Sequence, residues 1–223
     1  QSRDYYSQLY DTKLDPLGLA AFPTDSIQYA NPPNKPVVVF FGDSRAADWP
    51  APPQLENITF INRGIGNQTS AQALGRLPHH VIPLKPDVVL IQIGINDLKT
   101  IPLFPAQKAS IIANCKANIG EIVRLSIQSG ARVILTTIFP LGQVPVERRL
   151  VWSDDIATSI DDVNGFITQL KGNNVEIFDA GKILGTETGT LNPLYSKDLL
   201  HLNEKGYGVL NRELIHILTK DIQ

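Results

Sequence analysis

Beyond Pro36, short apolar runs alternate with longer amphipathic stretches. The runs are rich in Val, Ile and Phe, and most are continuously apolar, which is typical of strands buried on both faces of a sheet. The predicted strands are Val37–Phe41, Ile58–Asn62, Val88–Ile93, Arg132–Thr137 and Val175–Phe178.

The longer stretches carry apolar residues at helical spacing. The predicted helices are Ser70–Ile82, Ala106–Gln128, Asp154–Leu170 and Asn203–Leu218. Regular alternation of strand and helix favours an α/β domain, with a mostly parallel sheet between two layers of helices. In such a sheet the ligand crevice lies at the carboxyl ends of the strands, so the residues after each strand are the first candidates for chemistry.

The first 36 residues follow no such period. They hold four of the six tyrosines and five of the 16 prolines in the chain. Because disordered segments are usually poor in aromatics, we interpret residues 1–36 as an arm. It either packs over the domain formed by residues 37–223 or reaches a neighbouring subunit in a homo-oligomer. A disordered leader is the alternative. The tyrosines are Tyr5, Tyr6, Tyr10 and Tyr29.

Composition excludes several classes of protein. The chain of 223 residues has 20 basic and 22 acidic side chains, so it shows no electrostatic footprint for nucleic acid. Its longest strongly apolar run, Val37–Phe41, is far shorter than the roughly 18 to 20 residues that span a bilayer. The single cysteine, Cys115, excludes an intramolecular disulfide and a cysteine-rich metal site. Cys115 shares a helical stripe with Ile119 and Ile122, which favours a buried structural thiol.

Polar residues follow the first three predicted strands. Gly42-Asp43-Ser44 places a serine at the crevice, although these residues also favour a tight turn. The segment from Gly64 to Thr69 ends the second strand, and its glycines and Asn67 tolerate positive φ, so the turn can present backbone N–H groups to an anion. It is equally a turn into a helix capped by Thr69 or Ser70.

The third strand and the last loop add an amide and an imidazole. Asn96, in Gly94-Ile95-Asn96-Asp97, is placed to donate a hydrogen bond to an oxyanion, although Asx-turn chemistry explains it as well. His201 precedes the last predicted helix, and Asp198 lies three residues earlier, as a serine-activating base with an orienting carboxylate requires. The other histidines, His79, His80 and His216, are interpreted as structural or solvated.

Together these motifs resemble the SGNH (GDSL-type) hydrolases in order and approximate spacing. The resemblance covers residues 37–220. Two segments, Pro140-Leu141-Gly142-Gln143 after the fourth strand and Tyr195 to Tyr207, are most similar to the platelet-activating-factor acetylhydrolase branch. It implies a flavodoxin-like, three-layer α/β/α fold around a five-stranded parallel sheet. It also implies roles for individual residues: Ser44 as nucleophile, His201 as general base and Asp198 as the orienting carboxylate.

The resemblance further implies an oxyanion hole formed by the N–H groups of Ser44 and Asn67 and the side-chain amide of Asn96. Asp43 and Asp97 support these motifs, and neither a cofactor nor a metal is implied. One position departs from the family pattern: the second-motif glycine aligns with Asn67, and the nearest glycine is Gly66. We expect the hole to survive, because Asn tolerates the left-handed conformation, and the Asn67 side chain to alter acyl preference.

The expected activity is hydrolysis of small acyl esters, such as acetyl esters, on a carbohydrate or another alcohol through an acyl-enzyme. A lysophospholipase or thioesterase acting on longer chains is the nearest alternative. A non-catalytic member of the fold that binds glycans or a protein is the other. The start at Gln1 rather than Met, together with the resemblance to exported bacterial esterases, slightly favours a secreted or periplasmic location over a cytoplasmic one.

Overall fold

The computed structural model describes Tyr10 and residues 12–23, 35–144, 152 and 154–220. Five parallel strands form one sheet in the order β2-β1-β3-β4-β5, which confirms the predicted fold class. Each predicted strand is present: β5 has the predicted bounds, and the other four differ by one or two residues at an end. The strands are β1 (Val37–Gly42), β2 (Thr59–Gly64), β3 (Val88–Gln92), β4 (Arg132–Thr136) and β5 (Val175–Phe178).

The four predicted helices are also present, and three short helices lie directly after strands. The sequence analysis did not predict the short ones, since four or five residues are too few to show a helical period. The helices are α1 (Ser44–Ala47), α2 (Ser70–His80), α3 (Ile95–Leu98), α4 (Lys108–Gln128), α5 (Asp154–Gln169), α6 (Ala180–Leu184) and α7 (Glu204–Lys220).

Both faces of the sheet are covered, as the continuous apolar strands require. On β1, Val39 and Phe41 join one core cluster with α2, α4 and α5. Val38 and Phe40 join the other cluster with α6, α7 and Trp49. Cys115 belongs to the first cluster, where burial raises the pKa of its thiol, so the prediction of a buried thiol is confirmed.

The carboxyl end of β1 turns sharply at Gly42. Its φ is +152°, and a Cβ at this position would lie 1.7 Å from the carbonyl oxygen of Gln92 on β3. Only glycine can be accommodated there. The chain then enters α1 at Ser44, and Asp43 caps this helix by accepting a hydrogen bond from the Arg45 N–H at 2.9 Å. The turn expected from Gly42-Asp43-Ser44 is therefore a strand-to-helix junction.

Part of the N-terminal arm lies along α2. Gln72 Nε2 donates to the carbonyl oxygen of Pro16 at 2.8 Å, and Gln68 Nε2 donates to that of Leu17 at 2.8 Å. Further along, the ring of Phe22 packs edge-on against His80, with ring centroids 5.2 Å apart. Residues 12–23 thus contact the domain itself. Tyr5, Tyr6 and Tyr29 lie outside the described residues.

Within the described part of the chain, no helix has the length and apolar character to cross a bilayer. In the same residues, no group of three or more His, Cys, Asp or Glu side chains is arranged to hold a metal ion.

The Asp43 carboxyl is fully buried next to the start of α1. Burial raises the pKa of Asp43 to about 6, although the charge of Arg45 and the hydrogen bond from the Arg45 backbone N–H both act to lower it. Between the ordinary value of 3.8 and about 6, the native state therefore binds more protons than the unfolded state. The contribution of Asp43 to the free energy of unfolding must therefore fall as the pH rises through this window.

Substituting Gly42→Ala is expected to lower the free energy of unfolding by at least about 3 kcal/mol, because the new methyl group meets backbone that cannot move aside. Urea unfolding at pH 7 measures the change. Gly208→Ala on α7 is the matched control, since nothing lies within 4 Å of its Cβ position. It should stabilise the protein by about 0.5–1 kcal/mol. Equal stability of the two variants would contradict this account of the β1 turn.

Substituting Asp43→Asn keeps an oxygen that can cap α1 but removes the titration. We expect the stability of the native protein relative to this variant to fall by roughly 1 to 3 kcal/mol between pH 4 and pH 7. Urea unfolding of both proteins across this range gives the difference, in which the other titrating groups cancel. A difference that does not change with pH would show that Asp43 does not titrate in this window.

Candidate active site

The side chains of Ser44, His201 and Asp198 form a continuous hydrogen-bonded row. Ser44 Oγ lies 3.2 Å from His201 Nε2, although 157 residues separate them in sequence. On the other side of the ring, His201 Nδ1 lies 2.9 Å from Asp198 Oδ2 and 3.1 Å from Asp198 Oδ1. The structure therefore brings together the three residues that the sequence singled out for nucleophilic chemistry.

Asp198 is held in its ionised form by the loop that carries it. Partial burial alone would raise its pKa, but the N–H groups of His201 and Leu200 and the imidazole of His201 outweigh it and lower the pKa to about 2. Both N–H groups donate to Asp198 Oδ1, at 2.8 Å and 2.7 Å. The carboxylate can thus fix the ring of His201 and stabilise a positive charge on it.

The loop from Ser196 to Asn203 keeps His201 in place. The Lys197 N–H donates to the carbonyl oxygen of His201 at 2.9 Å. Asn203 Nδ2 donates to the carbonyl oxygens of Leu194 and Ser196, at 3.0 Å and 3.1 Å, and so closes the loop at its base. The hydrogen bonds of the loop itself therefore hold the imidazole in position.

Arg45 connects this loop to the segment that carries Ser44. Its Nε donates to the carbonyl oxygen of Leu200 at 3.0 Å, and its Nη1 donates to that of Phe139 at 3.3 Å. The side chain is fully buried. Its own carbonyl oxygen accepts from the hydroxyl of Tyr207 at 3.0 Å. The residue after Ser44 and the residue before His201 are thus joined directly.

The turn after β2 places two residues beside Ser44. Asn67 has φ of +64°, the left-handed conformation that Asn tolerates better than other residues with a side chain. A Cβ on Gly66 would lie 3.9 Å from Ser44 Cβ, so this turn lies against the hydroxyl-bearing residue. Among the described residues, the N–H groups of Ser44 and Asn67 donate no hydrogen bond within the protein.

The segment after β3 adds an amide to this group. Asn96 is buried in α3, and its Nδ2 donates to the carbonyl oxygen of Gln68 at 2.9 Å. An amide nitrogen carries two hydrogens, so a second remains for a ligand. Asp97 accepts from the N–H and hydroxyl of Ser70, at 2.8 Å and 2.6 Å, and so joins α3 to the start of α2.

The residues that hold these segments together were not predicted from the sequence. Arg76 is fully buried on α2, and its Nη2 and Nη1 donate to the carbonyl oxygens of Gly42 and Arg63 at 2.9 Å and 2.8 Å. Its Nε donates to Gln68 Oε1. Arg76 falls in the apolar stripe of α2 with Ala73 and Leu77, and a charge in such a stripe was the available signal.

Asn62 on β2 was missed as well. Its Nδ2 donates to the carbonyl oxygens of Ala46 and Ala47 at 2.8 Å and 3.1 Å, and its Oδ1 accepts from the Gly64 N–H at 2.8 Å. It therefore fixes α1, and Ser44 with it, against the end of β2. A lone Asn at a strand end carries no signal that separates this role from an ordinary turn.

The arrangement contains the parts that acyl transfer requires. A hydroxyl lies within hydrogen-bond reach of an imidazole that a carboxylate orients, and unpaired N–H groups lie on neighbouring turns. Three of the four histidines take no part in it. His80 is buried, with Nε2 3.2 Å from the carbonyl oxygen of Leu19, while His79 and His216 are exposed.

Comparison with solved structures shows the same fold in several bacterial proteins. A GDSL-like lipase from Bacteroides thetaiotaomicron is 25% identical, with a TM-score of 0.74 over 92% of this chain and 98% of that one. A protein from Streptococcus pneumonia described as a platelet activating factor is 20% identical, with a TM-score of 0.74 over 96% and 99%. The acetylxylan esterase Axe2 from Geobacillus stearothermophilus is 21% identical, with a TM-score of 0.63 over 81% and 93%.

No curated protein sequence matches the chain significantly. The family model of the GDSL-like lipase/acylhydrolases matches residues 25–209, which include both segments of the hydrogen-bonded row. The chain therefore belongs to the GDSL-like lipase/acylhydrolase family, the SGNH hydrolases, and is an ester-cleaving hydrolase.

Proposed function

We propose that this hydrolase is a serine esterase that works through an acyl-enzyme on Ser44. The observation that carries the proposal is the unbroken row from Ser44 Oγ through His201 to Asp198, with contacts of 3.2 Å and 2.9 Å. If this row served only to stabilise the fold, it would not need the unpaired N–H groups of Ser44 and Asn67 beside the hydroxyl.

His201 Nε2 takes the Ser44 proton while Oγ forms a bond to the ester carbonyl carbon. The bond from that carbon to the alcohol oxygen then breaks, and the proton passes from Nε2 to the departing alcohol. Water repeats the sequence: it gives a proton to His201, attacks the acyl carbon and releases the acid with Ser44 restored. Asp198 holds the ring in one tautomer and stabilises the imidazolium at each stage.

The negative charge of each tetrahedral intermediate lies on the former carbonyl oxygen. In this proposal the N–H groups of Ser44 and Asn67 and the Nδ2 group of Asn96 receive it. The three donors come from the carboxyl ends of β1, β2 and β3, which adjacent pairing in the sheet keeps together. Preorganised donors of this kind act on the transition state without a cost of reorganisation during the reaction.

For the substrate we propose a small acyl group, such as acetyl, on a carbohydrate or another alcohol. The turn at Gly66 and Asn67 lies beside Ser44, and the segment after β2 is short and mostly polar, which favours a small acyl group. The acetylxylan esterase Axe2 shares the fold and is named for such a reaction. Assigning that substrate class to this chain is part of the proposal.

A longer acyl chain is the second candidate. Leu103 and Phe104, a few residues beyond Asn96, are 63% and 50% exposed. Two adjacent apolar side chains this accessible, within eight residues of Asn96 in the sequence, favour contact with an acyl chain or a lipid. The two candidates differ in the ester chain length at which kcat/KM is greatest.

Substituting Ser44→Ala is expected to abolish hydrolysis of p-nitrophenyl acetate, because the acyl-enzyme cannot form, while circular dichroism shows the native fold. A series from p-nitrophenyl acetate to palmitate then sizes the pocket of the native enzyme. A maximum at acetate supports the first candidate, and a maximum at eight or more carbons supports the second. Full activity of the folded variant would contradict the proposed nucleophile.

Substituting Asn96→Ala is expected to lower kcat by about 10² to 10³, because one donor to the oxyanion is lost. Steady-state kinetics with p-nitrophenyl acetate and a thermal melt separate this loss from unfolding. Asn118→Ala is the matched control: Asn118 Nδ2 donates to Ser70 Oγ at 3.0 Å, and Ser70 is not one of the three proposed oxyanion donors. Equal losses in the two folded variants would show that the amide of Asn96 has no special role.

A further inference from the structure

Lys99 lies at the rim of the proposed oxyanion hole. It follows Asn96 by three residues at the end of α3, and its Nζ donates to Asn67 Oδ1 at 3.2 Å. The side-chain oxygen of Asn67 thus faces a cation, while the backbone N–H of Asn67 remains unpaired. Asn67 is the position at which this chain departs from the family pattern, so the contact depends on a side chain that glycine would not supply.

The ammonium of Lys99 has no carboxylate partner among the described residues. Lys108 and Lys116, by contrast, pair with Asp155 and Asp162. Lys99 is also half-buried, and burial lowers its pKa, while the buried carboxyl of Asp43 acts in the opposite direction. A partly desolvated cation without an ion pair costs free energy, unless an anion that is not part of the chain completes the site.

Two of the three ammonium hydrogens are available for such an anion. Asn67 Oδ1 accepts one, and in the described part of the chain no other acceptor contacts Nζ. Arg45 and Arg76, two other cations near the hole, are fully buried and donate to backbone carbonyl oxygens. Lys99 is therefore the cation at this rim that can meet a ligand.

We infer that Lys99, oriented by Asn67, binds a negatively charged group that the substrate carries close to its ester. This inference rests on the proposed function of Ser44 and narrows it to esters that contain a carboxylate or a comparable anion. The anion can belong to the acyl half or to the alcohol half of the substrate, since both halves diverge from the same carbonyl carbon. An acidic sugar bearing an acetyl group would be a substrate of the second kind.

Two matched pairs of esters test the inference and distinguish the halves. In the first pair, monoethyl succinate has a carboxylate where ethyl butyrate has the terminal methyl group of its acyl half. In the second pair, acetoxyacetate has a carboxylate where ethyl acetate has the terminal methyl group of its alcohol half. Titration of the released acid gives kcat/KM for each ester. For one of the pairs, we expect the ratio of kcat/KM for the anionic ester to kcat/KM for the neutral ester to fall about tenfold to a hundredfold in Lys99→Met. This is the loss expected for one charge-assisted hydrogen bond.

Three further variants sharpen the result. Lys99→Arg should retain most of the native ratio, because it keeps the charge. Lys108→Met should leave the ratio unchanged, since that lysine is paired with Asp155 on the surface. Asn67→Gly should lower the ratio in the same direction as Lys99→Met, because the ammonium loses the oxygen that orients it.

A ratio that Lys99→Met leaves unchanged in both pairs would overturn the inference. Equal loss on anionic and neutral esters would also overturn it, because Lys99 would then act only on the oxyanion hole. If the native enzyme hydrolysed none of the four esters, the proposed function would fail separately. Calorimetric titration with sodium succinate would then decide on the anion site: binding that Lys99→Met abolishes supports the site, and no binding to the native protein overturns it.

Discussion

A buried guanidinium holds the carboxyl ends of the central strands in one arrangement. Arg76 reaches from α2 to the carbonyl oxygens of Gly42 at the end of β1 and Arg63 near the end of β2, and it also bonds the side chain of Gln68. Both carbonyl groups belong to residues of the β1–β2 ladder, and the Gly42 oxygen also accepts from the Ile65 N–H at 3.0 Å. They supply acceptors to a buried guanidinium, whose donors would otherwise be unsatisfied inside the protein at a cost of about 1–3 kcal/mol each. The contacts of the guanidinium therefore hold the turn that carries Asn67 against the end of β1.

Arg45 makes the corresponding connection on the other side of Ser44. It bonds the carbonyl oxygens of Leu200 and Phe139, so the loop of His201 is tied to the helix of Ser44 and to the segment after β4. A rigid connection matters for the proposed mechanism, because proton transfer between Ser44 and His201 requires their separation to stay within hydrogen-bond reach. Both arginines bond carbonyl oxygens rather than carboxylates. Their positive charge is therefore not cancelled by an ion pair within the described residues.

The fold and the side chains proposed to react were predictable from sequence because each leaves a local pattern. Continuous apolar runs such as Val37–Phe41 specify buried parallel strands, and polar residues directly after them identify the crevice. Arg76 and Lys99 were not predictable in the same way. A hydrogen bond from a side chain to a distant carbonyl or amide has no period and no fixed spacing, so it appears only when the strands are placed side by side. Even the short helix at Ser44 is set by its cap rather than by a pattern.

The described part of the N-terminal arm enters the same network through Gln68. That side chain donates to the carbonyl oxygen of Leu17, accepts from Arg76, and adjoins the backbone oxygen that receives Asn96 Nδ2. One residue therefore joins the arm, the floor of the crevice and the amide proposed for the oxyanion hole. Because Gln68 is buried, none of these bonds can be exchanged for water without opening the turn. The position of Asn67, and through it that of Lys99, thus depends on contacts from three separate parts of the chain.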